Sequence, residues 1–158
     1  MKRANVPKPT DEWYTPLEVV QALGRFDLDP CAAPGHNTAD HLYTKEDDGL
    51  SREWFGRVWL NPPYSQPLIK QFVAKLAEHG NGIALLFNNC DNVMFFDIIF
   101  PKATAIKFLR KRIRFIRPDG SQGDRPSRGS VLVAFGEENA ISLKESPFEG
   151  TFIWLNRK

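Results

Sequence analysis

The stretch Arg57-Val58-Trp59-Leu60-Asn61-Pro62-Pro63-Tyr64, followed through Pro67-Leu68 to Ile83-Ala84-Leu85-Leu86-Phe87, decides the fold. Arg57 to Leu60 reads as a buried strand stopped at Asn61-Pro62-Pro63, because proline has no N–H to give a ladder. Leu68, Phe72, Val73 and Leu76 recur at helical spacing, which predicts an amphipathic helix over 67–79 with Gly80 and Gly82 beyond its end. Ile83 to Phe87 is uninterruptedly apolar, as a central parallel strand buried on both faces must be. Strand, helix and strand in this order predict an α/β fold with a partly parallel sheet.

Working outward, Glu18 to Leu23 behind Pro16 reads as a short helix and Phe26 to Asp29 as a short strand stopped by Pro30. Residues 31–53 read mostly as loop. Asn92 to Phe100 reads as a helix ended by Pro101. Ala103 to Phe108, Lys111 to Ile116, Ser130 to Phe135 and Thr151 to Leu155 read as further strands. Residues 117–129, rich in Gly and Pro, read as a long loop that is disordered or ordered by substrate, and residues 1–12 as a flexible arm ahead of one compact domain over 13–158.

The chain has 158 residues, 42% apolar and 25% charged, enough for one folded core. No apolar run approaches membrane-spanning length, so no membrane association is expected. Two cysteines cannot build a disulfide framework, and a reducing cytoplasm is the expected compartment. Cys31, His36, His41 and Cys90 lack the spacing of a zinc motif, so no metal is expected.

The net charge of +2 hides a division. Residues 102–128 carry nine Lys or Arg against two Asp, net +7, while the remainder is net −5. Such a segment is a candidate phosphate-contacting surface. On a strand, Arg110, Arg112 and Arg114 share one face and Lys111 joins Ile113 and Phe115 on the other; Arg117, Arg125 and Arg128 carry the charge into the loop.

Asn61-Pro62-Pro63-Tyr64 carries the chemistry. At the carboxyl end of a strand, the Asn61 side-chain oxygen and the Pro62 carbonyl are rigid acceptors beside the Tyr64 ring. That set suits a planar base with an exocyclic amine: two acceptors take its hydrogens and the ring stacks on the base. A planar amide fits the same acceptors.

The segment resembles the motif of amino-group methyltransferases, Asp or Asn, Pro, Pro, aromatic. Asp11-Glu12-Trp13-Tyr14-Thr15-Pro16 with Val19-Val20, Phe26-Asp27-Leu28-Asp29-Pro30-Cys31-Ala32-Ala33, Tyr43-Thr44, Glu46-Asp47-Asp48-Gly49-Leu50 and Trp54 are similar to blocks of the phage-encoded DNA N6-adenine methyltransferase family, the Dam type. Phe108-Leu109, Arg112-Ile113-Arg114-Phe115 and Ser130 to Phe135 extend the match. The resemblance implies a reduced Rossmann-like fold with a mixed sheet, S-adenosylmethionine as methyl donor, and adenine in double-stranded DNA of a bacterial host cytoplasm as acceptor. It places Asp29, Pro30 and Cys31 at the methionine end of the cofactor, with Tyr14 and Thr15 flanking, and Asp47 or Asp48 near the ribose. The chain departs from the family in lacking a glycine-rich turn after the first strand, in the short interval from Asp29 to Asn61, and in having no arginine near Asn89-Cys90-Asp91. The alternatives are a nucleic-acid-binding module that kept the fold without turnover, or a methyltransferase acting on RNA or a glutamine amide.

Overall fold

The computed structural model describes residues 14–123, 126 and 128–157. The expected arm, residues 1–12, lies outside them. Strands β1 (Leu28–Asp29), β2 (His41–Leu42), β3 (Val58–Leu60), β4 (Gly82–Phe87), β5 (Ala105–Leu109), β6 (Ser130–Phe135) and β7 (Gly150–Trp154) form one sheet in the order β2-β1-β3-β4-β6-β5-β7. The first four run parallel, and β6, β5 and β7 join antiparallel. The sheet is thus mixed, and parallel in the half that contains the predicted strand-helix-strand unit.

β4 is apolar throughout because both its faces are covered. Ala84 and Leu86 enter one core with Leu60, Val131 and Val133. Ile83 and Leu85 enter the other with Trp59, Leu132 and Ala134. Helix α2 (Leu68–His79) buries Ile69, Phe72, Val73 and Leu76 in the first core, and Gly80 at φ +75° ends it, its N–H donating to Leu76 O at 2.8 Å. Leu68, expected on the buried face, is 39% exposed, and Ile69 packs instead. Helix α1 (Leu17–Gln21) and α4 (Glu137–Glu145) cover the second core through Val20, Ala140 and Leu143. The sequence reading missed α4, although Glu137 and Glu138 in its first turn and Lys144 in its last are the charges that a helix dipole favours. Lys107 from β5 is 5% exposed and donates to Ser146 O (3.2 Å) and Leu143 O (3.4 Å), serving the carbonyls at that helix end.

Two expectations are corrected here. Pro101 does not stop the helix behind β4: residues Phe95–Ile99 form a π-helical turn that continues into α3 (Phe100–Lys102), with Pro101 inside it. The wider turn changes the ladder just where proline offers no N–H. Second, Lys111 to Ile116 is not a strand; only Ile116 makes bridges, to Tyr14 and Gln122. The interval from Asp29 to Asn61, read mostly as loop over 31–53, holds a short strand and two 3-10 turns but no α-helix among the described residues. Irregular chain joins two-residue strands β1 and β2, and 3-10 turns Lys45–Asp47 and Gly49–Ser51 lead to β3. Among the described residues no helix is long and apolar enough to cross a membrane.

Candidate active site

From β1 the chain passes outward to β2 and then returns to β3 on the opposite side of β1. Strand order therefore reverses between β1 and β3, which pair through Leu28 and Val58. Ligands of open α/β sheets bind in the crevice that such a reversal opens at the carboxyl ends of the strands. Asp29-Pro30-Cys31 leaves β1 at that end, and Asn61-Pro62-Pro63-Tyr64 leaves β3 beside it.

β3 itself is buried at all three positions, so the turn starts from a fixed base. Pro62 is buried, and Asn61, Pro63 and Tyr64 are half-buried. The Tyr64 hydroxyl lies 2.9 Å from Asn61 Oδ1 and 3.1 Å from Leu85 O, sharing its hydrogen between them. Its ring packs 4.4 Å from that of Phe87, and Phe87 meets Phe115 edge-on at 6.4 Å. Burial pushes the Tyr64 phenol far above its ordinary range, so it stays a donor. Sequence reasoning gave Tyr64 a ring and overlooked its hydroxyl, whose partner Leu85 lies on another strand.

Asp29 is 3% exposed. Its Oδ1 accepts from Cys31 N at 2.9 Å and its Oδ2 from the Thr38 hydroxyl. Burial raises its pKa to about 6, against the pull of those two hydrogen bonds. Both donors are neutral, and each oxygen keeps a lone pair, so a cationic ligand group is the partner that would complete this carboxylate. Cys31 is pushed up by the same burial and by Asp29, which makes it a packing residue rather than a nucleophile.

Tyr14 and Thr15 meet the loop after β1: Tyr14 stacks on His36 at 5.5 Å, and His36 Nε2–H donates to Thr15 O at 2.7 Å. Thr15 is 1% exposed, and its Oγ1 has no hydrogen-bond partner among the described residues. Tyr14 also exchanges backbone hydrogen bonds with Ile116 at 3.0 and 2.8 Å, which ties the chain ahead of α1 to the basic segment. His36 is thereby engaged, and His41 packs edge-on against Phe55.

The acidic turn has a local task. Asp47 Oδ2 accepts from Thr44 N at 2.8 Å and Thr44 Oγ1 at 3.1 Å, closing a capping box that lowers its pKa. Gly49 fits it against the β1 turn: a Cβ there would lie 2.1 Å from Pro30 O. Trp54 Nε1 holds the Gly49 carbonyl at 2.8 Å, and its ring stacks on Phe72 of α2. The spacing of Asp47-Asp48-Gly49 and Trp54 is thus the spacing of one clamp that seats the end of β2 on the end of β1.

The basic segment keeps its alternation without a ladder. Ile113 and Phe115 are buried while Arg112 and Arg114 are exposed, as are Arg110, Arg117 and Arg128. Lys111, expected to face inward with Ile113, is exposed; without partner strands the segment has no reason to hold strict period two there. Arg112 donates to Pro126 O at 3.0 Å, Arg114 to Gln122 Oε1 at 3.2 Å and Arg117 to Gln122 O at 3.1 Å. Arg125 lies outside the described residues.

The carboxyl ends of β1, β3 and β5 thus bring together the Asn61–Tyr64 turn, a buried carboxylate and an exposed arginine-rich segment. The family model described as DNA N-6-adenine-methyltransferase (Dam) matches residues 3–146. A DNA N-6-adenine-methyltransferase of Haemophilus phage HP1 (strain HP1c1) is 30% identical, over 92% of this chain and 91% of that protein. Another of that name, from Escherichia phage T1, is 35% identical over 95% of this chain and 71% of its own. No solved structure matches.

Proposed function

The chain belongs to the DNA N-6-adenine-methyltransferase (Dam) family, and from that premise we propose how its residues methylate adenine in DNA. The methyl donor in this reading is S-adenosylmethionine, which when bound supplies an electrophilic methyl group on a sulfonium. The buried, cation-deficient Asp29 fits its ammonium, and Tyr14 and Thr15, which meet the loop after β1 through His36, flank it in this reading. Pro30 and Cys31 shape the turn beneath it. Asp47, held by Thr44 through Oδ2 and lying 4.0 Å from Arg52 through Oδ1, is assigned to the ribose hydroxyls in this reading.

The acceptor is an adenine flipped from double-stranded DNA, since N6 inside the stack is out of reach. Asn61 Oδ1 and the Pro62 carbonyl each accept one N6–H. Asn61 Oδ1 can do so while holding Tyr64, because a carbonyl oxygen has two lone pairs. Drawn to those acceptors, the hydrogens leave the base plane, and the nitrogen lone pair is freed from the ring to attack. Pro63 stiffens the turn, and the Tyr64 ring supports the base. The N–C bond forms as the methyl leaves sulfur, and the surplus proton passes from nitrogen to water. Arg110, Lys111, Arg112, Arg114, Arg117, Arg125 and Arg128 neutralise phosphates.

The observation that carries the reading is the juxtaposition of the Asn61–Tyr64 turn with buried Asp29 at the reversal of strand order. The test is to incubate the protein with duplex DNA and methyl-labelled S-adenosylmethionine, digest, and weigh the nucleosides. Label in N6-methyladenine is expected; label in another nucleoside, or none, sinks the assignment.

A further inference from the structure

The chain beyond β5 holds a polar element that the methyl-transfer chemistry does not use. Residues 115–117 and 121–123 run antiparallel as a short ribbon: Arg117 N donates to Ser121 O (2.9 Å), Gly120 N to Arg117 O (2.8 Å) and Gly123 N to Phe115 O (2.9 Å). Asp119 Oδ1 fixes the turn by accepting from Ser121 N (2.8 Å) and Ser121 Oγ (2.5 Å). Residues 117–122 are exposed, whereas Phe115 at the root is 1% exposed and packs on Phe87, which packs on Tyr64. Contiguous packing therefore sets the place of the ribbon relative to Asn61.

Gln122 stands on this ribbon with its amide oriented. A guanidinium can only donate, so the atom facing Arg114 Nη1 at 3.2 Å is the amide oxygen, and Nε2 with its two N–H groups turns away. The Arg117 guanidinium fixes the Gln122 carbonyl as well. The remaining lone pair on Oε1 and the N–H donors of Nε2 give an acceptor beside a donor. That is the complement of the N6 amine and N7 of adenine in the major groove, which is wide enough for a two-stranded ribbon.

We infer that Gln122 is a specificity-determining residue: through the major groove it reads an adenine·thymine pair flanking the methylated adenine, with Arg114 as the positioning residue that sets its amide. The inference rests on the reading of DNA as substrate given above.

The experiment compares the full-length protein with Gln122→Ala, Gln122→Glu and Arg114→Ala on a duplex library randomised around adenines, with methylated positions read by sequencing. The native protein is expected to favour adenine·thymine at one flanking position. Gln122→Ala then loses about ten- to a hundredfold discrimination at that position alone, as expected for removal of one bidentate contact. Gln122→Glu shifts it toward cytosine, whose N4 amine donates to a carboxylate. Arg114→Ala weakens the same position. Gln122 is exposed, so its variants fold. Identical preferences in the native protein and both Gln122 variants overturn the inference, while native protein that methylates no adenine overturns the reading beneath it.

Discussion

The Tyr64 hydroxyl holds the Oδ1 atom of Asn61 at 2.9 Å, so the aromatic residue of the turn orients the acceptor that stands three positions before it. In the proposed mechanism this bond presets the acceptor before the base arrives, and the first two predictions separate its effect from that of the ring.

Asn61→Ala should leave the melting temperature nearly unchanged and lower kcat by 10²-fold or more, roughly 3 kcal/mol, as loss of one preorganised group commonly does. Single-turnover kinetics with a melting curve on the same sample decide it. Turnover within a few-fold of native would show that the amine is held elsewhere.

Tyr64→Phe keeps the ring against Phe87 and loses the bond to Asn61. Its kcat should fall about three- to tenfold, in line with a net hydrogen bond of about 1 kcal/mol, with KM for DNA little changed. Tyr64→Ala should raise KM as well, because stacking contributes about 1 to 3 kcal/mol per base. Native kcat in Tyr64→Phe would mean that the hydroxyl does nothing for Asn61.

Asp29 makes cofactor binding depend on pH. Its pKa in the folded chain is about 6, and the ammonium needs the ionised form, so affinity should fall about tenfold per unit as pH drops below 6. Stability runs the other way. A raised folded pKa adds stability that is full below the unfolded value near 4 and is lost as pH rises through 6. Ligand-free Asp29→Asn should therefore melt higher than native at pH 8 and differ little at pH 4. Calorimetric titration of S-adenosylmethionine at pH 5 to 8 tests the first half: the affinity of the native protein should change, and that of the Asp29→Asn variant should be weak and flat.

Gly49→Ala places a methyl group where Pro30 O stands, at 2.1 Å from an ideal Cβ. Backbone has to move, which commonly costs about 1 to 3 kcal/mol, and the movement displaces the β1 turn. Both the melting temperature and S-adenosylmethionine affinity should fall, with DNA affinity retained. A silent substitution would show that the two turns are not clamped together.

Because Arg112 and Arg114 also bind the chain at Pro126 and Gln122, exposed Arg110 and Lys111 are the cleaner probes of phosphate contact. Arg110→Ala and Lys111→Ala should each reduce the slope of log affinity against log salt by about one, without altering which site is methylated. Unchanged slopes would make this part of the segment a solvated face.

Local signals by themselves determined much of this protein. An apolar run such as Ile83 to Phe87 has one stable environment, and a proline pair after Val58-Trp59-Leu60 ends a strand wherever it folds, so the parallel unit and the Asn61–Tyr64 turn were legible along the chain. The Asp47-Asp48-Gly49 and Trp54 block was legible only as a pattern; its cause, the approach of Gly49 to Pro30, joins residues that the sequence leaves far apart. Tertiary structure alone decided whether extended segments found partners. Ser130 to Phe135 pairs on both sides, with β4 and β5, whereas Lys111 to Ile116 has the alternation of a strand but, among the described residues, makes only the isolated bridges of Ile116. It also decided that Tyr64 would reach Leu85, that β1 would lie between β2 and β3, and that Arg114 would meet Gln122. The physical reason is that periodicity records which side of a segment is buried, while hydrogen-bond partners and the packing that selects them are set by residues distant in sequence and adjacent in space.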